Sequence, residues 1–141
     1  MGEEIIKVEH SLGTIDIKSN PKKVIVFDYA ALDAMDVLEI EGIVGIPKAS
    51  SIPGYLNKYN GDEYANIGGL FEPDLEKINE LKPDLIVING RQHKFYDKLN
   101  AIEPTISLSK EDGKYMESFT HNMEALGNIF NKDKIVKKRI G

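Results

Sequence analysis

A chain of 141 residues with 41% apolar content is the size of one ordinary globular domain and can bury a sizeable core. Its formal charge of -5 and isoelectric point near 5.2 argue against a general nucleic-acid binder, because phosphate contacts need clustered Lys and Arg. The lack of Cys excludes disulfides, thiolate metal sites and cysteine nucleophiles, and no apolar run approaches the ~20 residues of a membrane span.

The opening Met-Gly-Glu-Glu has neither the basic nor the apolar region of a signal peptide, as would also hold for a processed or recombinant form of an exported protein. Ile5 to Glu9 and Thr14 to Ile17 flank Ser11-Leu12-Gly13 and read as a β-hairpin turning near Gly13, which Asn20-Pro21 breaks. Val24-Ile25-Val26-Phe27 is a continuous apolar run, the pattern of a strand covered on both faces, and it ends at Asp28-Tyr29. Ala31 or Leu32, Met35 and Leu38 form a short helical stripe with Gly42 as its stop, and Ile43 to Ile46 is the next strand. Lys48 to Asn66 holds Ser, Pro and Gly and predicts a surface excursion with one helical turn around Tyr55 to Tyr59.

Gly68 to Gln92 gives a loop, a helix and a buried strand in one run. Pro73 suits a first helical turn, Asp74 and Glu76 complement the helix dipole, and Leu75, Ile78 and Leu81 share one face until Pro83 ends the element. Leu85 to Ile88 is again continuously apolar, and Asn89-Gly90-Arg91-Gln92 leaves its carboxyl end. Phe95, Leu99 and Ile102 carry a helix back to Pro104, and Thr105 to Leu108 is a strand. Met116, Phe119, Met123, Leu126 and Phe130 form an amphipathic helix that Asn131 closes. Lys132 to Ile140 reads as a basic helix that projects from the domain or packs on a neighbour rather than forming core. The alternation predicts an α/β fold: a three-layer α/β/α Rossmann-like lobe with a mostly parallel sheet and an N-terminal β-hairpin.

Neither a phosphate loop nor a dinucleotide-binding glycine pattern is present. His10, His93 and His121 lack metal-ligand spacing; His10 and His121 read as solvated, whereas His93 lies two residues from Arg91 at a strand end. Asp28 suits a helix cap. Only two arginines exist, Arg91 and Arg139, and a guanidinium at the carboxyl edge of a parallel sheet can hold a polydentate anion through several N–H donors. A surface ion pair is its plainer use. Tyr29 and Phe71 share that ring of strand-end loops, and Gly68-Gly69 serves either a backbone turn or close approach of a ligand. On these residues alone, a binding protein, a small α/β ligand-binding or nucleotide-binding enzyme domain without a catalytic motif, and a protein-interaction module all remain open.

Taken together, Val24 to Asp33, Ile67 to Gly69, Glu72-Pro-Asp-Leu-Glu-Lys-Ile and Leu81-Lys-Pro-Asp-Leu-Ile-Val-Ile-Asn-Gly-Arg-Gln resemble the substrate-binding proteins of iron-siderophore ABC importers. Those proteins are two α/β lobes joined by a long helix. The resemblance implies that residues 1–131 are the N-terminal lobe of a class III periplasmic-binding-protein fold, that 132–141 begin the interlobe helix, and that the C-terminal lobe is absent. It implies a protein that is not an enzyme, binds a ferric siderophore and delivers it to an ABC permease in the membrane. Its expected place is the periplasm or, lipid-anchored, the extracellular face of the cell membrane. The implied ligand-binding residues are Arg91, Tyr29, Phe71, Gly69, Gln92 and Lys48. Phe71 stands where close relatives can carry a ligand-contacting lysine. Glu76 matches a glutamate that docks on the permease. No residue is assigned to metal or catalysis, no cofactor is implied beyond iron carried in the siderophore, and no nucleic acid is expected.

Overall fold

The computed structural model describes residues 5–10, 13–48, 52–70, 72–108, 115–132 and 135–136, apart from the side chains of residues 55, 91 and 115–119. Its centre is a five-stranded parallel sheet of β3 (Val24–Val26), β4 (Ile43–Ile46), β5 (Ala65–Asn66), β8 (Leu85–Ile88) and β9 (Thr105–Ser107), in the spatial order β5-β4-β3-β8-β9. Two antiparallel pairs lie outside it: β1 (Ile5–His10) with β2 (Gly13–Lys18), and β6 (Gly68–Gly69) with β7 (Glu72–Pro73).

The two continuous apolar runs are continuous because both sheet faces are covered. Val24, Val26, Leu85 and Val87 point to one side, against α1 (Tyr29–Val37), α4 (Tyr115–Phe130) and the β1-β2 hairpin, through Leu32, Met35, Met123, Leu126, Val8 and Ile17. Ile25, Phe27, Ile86 and Ile88 point to the other, against Ile78 of α2 (Leu75–Leu81) and Leu99 of α3 (Tyr96–Ile102). Each such aliphatic or aromatic side chain contributes roughly 1.5–3 kcal/mol on burial, so the eight strand residues dominate the stability of the layers. This is the α/β/α arrangement the alternation predicted.

Several local expectations change. The helix begins at Leu75, not Pro73: Asp74 is its N-cap, accepting from Lys77 N at 3.1 Å, while Pro73 pairs with Gly68. Glu76 keeps the first-turn position. Gly42 does not stop α1. That stop is a Schellman closure, in which Glu39 takes a left-handed φ of 58°, Ile40 N donates to Met35 O and Glu39 N to Asp36 O. Gly42 instead lies where a Cβ would come within 2.9 Å of the Lys22 carbonyl oxygen. The expected surface excursion is held down, since the 3-10 segment Gly54–Asn60 buries Leu56 and Tyr59 on the α1 side of the sheet. Asn131 closes α4 as expected, with φ 59° and Lys132 N donating to Gly127 O. Helix is found at 135–136, but Val136 joins the core rather than projecting from it; Lys134, Lys137 and Lys138 lie outside the described residues.

Gly68 is the position where glycine is required. Its φ is +107°, and an added Cβ would fall 2.4 Å from the Glu72 carbonyl oxygen and 2.8 Å from Asp74 N, both backbone atoms that cannot swing aside. Gly68→Ala should therefore lower unfolding free energy by at least about 1–3 kcal/mol, read as an earlier urea midpoint, by strain and clash together.

Candidate functional site

All five strands of the sheet end at one edge, and side chains sew each strand end to its spatial neighbour. From the outer strand inward, Ser107 at the end of β9 lies 2.7 Å (Oγ to Nε2) from His93, which follows β8. Asn89, also after β8, donates from Nδ2 to Asp28 Oδ2 at 3.1 Å, joining β8 to β3. Tyr29 donates its hydroxyl to the Pro47 carbonyl at 2.6 Å, joining β3 to β4. Asn66 Oδ1 accepts from Lys48 N at 3.1 Å and from Gly68 N at 3.0 Å, joining β4 to β5 and to the β6-β7 hairpin. Carboxyl ends of parallel strands expose carbonyl and amide groups that the ladder does not use, and these side chains satisfy several of them.

On this edge, after β8 and between β3 and β9, stands the 3-10 turn Gly90–Phe95, which carries Arg91. Asn89 caps it. The Asn89 side chain accepts from the Gln92 backbone N–H while Gln92 Oε1 accepts from Asn89 N at 3.0 Å, a capping box that fixes the first turn from both directions, and Asn89 Oδ1 also accepts from Gly90 N at 2.7 Å. Gln92 is completely buried, and its Nε2 donates to the Leu70 carbonyl. Arg91 thus has a neighbour on one side sewn to the β6-β7 hairpin and, two residues on, a histidine sewn to β9. The arginine side chain itself lies outside the described residues, as does Phe71, so the structure fixes the base from which the guanidinium starts.

Among the sequence candidates, Tyr29, Lys48, Gly69 and Arg91 occupy this one edge. Gln92 is there too, buried, with its amide hydrogen-bonded at both ends. Lys48 is half-buried, and its ammonium donates to the Gly61 carbonyl at 2.7 Å. Tyr29 is half-buried, and burial raises its phenol above the ordinary value. Gly69 pairs with Glu72, next to the strained Gly68. Glu76 is exposed at the start of α2, on the same edge. Asp28 takes the predicted cap role, accepting from Ala31 N at 3.0 Å.

His10 departs from its expected solvated state. It is half-buried, its Nδ1 accepts from Ser107 N at 3.1 Å, and its ring stands 5.8 Å from that of Tyr96. Burial first, and nearby His93 second, hold its pKa below the ordinary histidine value. His121 is exposed as expected and donates to the Glu9 carbonyl at 2.9 Å. A cavity of about 370 Å³ lies at the opposite edge, beside the start of β4 and walled by Tyr59, Tyr64, Asp36 and Glu39. Asp36 there is paired with Lys58 and accepts from the Tyr59 hydroxyl, so its charge is matched within the fold. Among the described residues no group of three His, Cys, Asp or Glu could hold a metal ion, and no helix is long and apolar enough to cross a membrane.

Residues 24–138 match the family model described as periplasmic binding protein. The chain is 46% identical over 142 residues to the petrobactin-binding protein YclQ of Bacillus subtilis, covering 98% of this chain and 44% of that protein. It is 31% identical to the ferric-anguibactin-binding protein FatB of Vibrio anguillarum, with the same shares covered. The YclQ crystal structure superposes with a TM-score of 0.94 at 43% identity, over 98% of this chain and 49% of the other. The catecholate-siderophore binding protein VctP of Vibrio cholerae gives 0.90 at 41%, over 97% and 49%. The chain spans less than half the length of these curated relatives.

Two outcomes follow from the geometry. Gln92→Ala strands the Asn89 amide and the Leu70 carbonyl, each costing about 1–3 kcal/mol, and urea denaturation should show a combined loss of about 2–4 kcal/mol. His10 binds its proton more weakly folded than unfolded, so the stability it contributes is present above about pH 6.5 and is lost as pH falls through its lowered folded value. Urea midpoints should accordingly drop between about pH 7.5 and about pH 5, and drop less in His10→Asn.

Proposed function

The chain belongs to the periplasmic binding protein family, and on that footing we propose that it is the N-terminal lobe of a ferric-siderophore receptor that passes its cargo to an ABC permease. In this reading, residues up to 131 form the lobe and those from 132 begin the helix leading to a second lobe. The protein works at the outer face of the cell membrane or in the periplasm. Iron enters only as part of the cargo.

The observation that supports the reading is the sewn strand edge that carries the Arg91 turn at the end of β8. A ferric catecholate is a bulky anion whose charge is spread over several oxygens. A planar guanidinium on a fixed base can reach more than one of these at once, which a mobile ammonium does less well. Tyr29, Lys48 and Gly69 share the strand edge with that turn and, together with Phe71, form the rest of the proposed ligand surface. VctP, 41% identical in sequence, is named for catecholate siderophores, which supports a catecholate as the cargo. Glu76 lies exposed on the rim, clear of the sewn contacts, where a permease arginine can meet it.

A charge-assisted hydrogen bond contributes roughly 1.5–3 kcal/mol. In a two-lobe protein, Arg91→Ala should therefore weaken ferric catecholate binding about ten- to a hundredfold, and Arg91→Lys should recover only part of it. Tyrosine fluorescence quenching reads both; unchanged affinity in Arg91→Ala would overturn the assignment. Glu76→Ala should leave affinity nearly unchanged and lower iron uptake by cells, and equal uptake would remove Glu76 from the docking surface.

A further inference from the structure

His10 sits at the end of β1, far in sequence from the turn that bears Arg91, yet only two contacts separate them. Its Nδ1 accepts from Ser107 N at 3.1 Å, and the same Ser107 lies 2.7 Å through Oγ from His93 Nε2, in the Arg91 turn. An accepting Nδ1 carries no proton, so the neutral ring holds its proton on Nε2. If His10 gains a proton at Nδ1, an N–H faces an N–H, and the contact is lost.

We propose that His10 is a positioning residue: through Ser107 and His93 it holds the turn that carries Arg91, and its protonation loosens the anion-binding edge so that cargo is released more readily in acid. The inference rests on the reading of Arg91 given above. The groups facing His10 among the described residues are His93 from the Gly90–Phe95 turn, Tyr96 from α3 and Ser107 from β9, with Glu9 beside it on β1, whose carbonyl is held by His121 of α4. His93 disfavours a second positive charge nearby, in keeping with the lowered pKa of His10. A positive charge at His10 acting only through space would tighten the grip on an anion. The sign of the pH effect therefore separates positioning from simple attraction.

The test uses the full-length two-lobe protein in three forms: the parent, His10→Asn and His10→Ala. Asparagine places its Oδ1 near the position of Nδ1 and cannot take up the proton; alanine removes the acceptor. Affinity for the ferric complex of a bis-catecholate siderophore is measured at about pH 7.5 and about pH 5.5, and the ratio of parent to His10→Asn at each pH cancels protonation of the siderophore itself. The ratio should be near one at the higher pH, and at the lower pH the parent should bind at least about fivefold more weakly than His10→Asn. His10→Ala should be weaker than both at the higher pH. A parallel readout without ligand follows the backbone amides of Ser107, His93 and Arg91 by NMR: all three should titrate together in the parent and lose that titration in His10→Asn. A parent that binds as well as or better than His10→Asn in acid, or an Arg91 amide that ignores the titration of Ser107, overturns the proposal. If no form binds any ferric siderophore, the functional reading fails instead, and the amide titration still decides whether His10 positions the turn.

Discussion

The turn that carries Arg91 depends on how Gln92 is paired. It is a fully buried amide whose oxygen holds the Asn89 N–H and whose nitrogen holds the Leu70 carbonyl, so one side chain joins the end of β8 to the β6-β7 hairpin. Burying an amide is costly unless both ends are paired. Here they are, and the cost of leaving either end open is what keeps the two loops together. The Arg91 turn is held by this pairing on one side and by His93 on the other.

The sheet beneath supplies a base stiff enough for such sewing to matter. β3 pairs with β8 in register, Val24 to Leu85 through Val26 to Val87, and Phe27 N extends the ladder by donating to Val87 O at 2.8 Å. With apolar layers on both faces these strands cannot slip by one residue without exchanging the contents of the two cores. Asp28 and Asn89, the residues that follow the two strands, are therefore brought together by register, and their hydrogen bond is a consequence of the core packing.

How far the sequence disclosed this differs from level to level. Val24 to Phe27 and Leu85 to Ile88 were legible as doubly covered strands because a parallel sheet writes that requirement into consecutive residues. Asp28 was legible as a cap for the same local reason. Asn89 with Gln92 three residues on has the spacing of a capping box, yet Gln92 at a strand end also suits a ligand contact, and only the structure shows its amide paired with Asn89 and Leu70. Pro73 fitted a helix start equally well, but the strand bridge to Gly68 moved the start to Leu75. The bond between His10 and Ser107 spans 97 residues, and no local pattern can announce it. Leu56 and Tyr59 were hidden among loop-forming residues, whose composition describes the backbone of the excursion and not where its two apolar side chains go.

The β1-β2 hairpin has a further consequence for how the chain is made. Its apolar side chains Val8 and Ile17 belong to the same core cluster as Met123, Leu126 and Ile129, and His121 of α4 reaches the Glu9 carbonyl across 112 residues. During synthesis, the hairpin emerges well before its covering helix, which lies more than a hundred residues later. For most of elongation these residues face solvent or a chaperone, and the long loop must close before they are rewarded for ordering. The hairpin is thus expected to dock late in the folding of these residues, after the parallel strands have paired and α4 has formed.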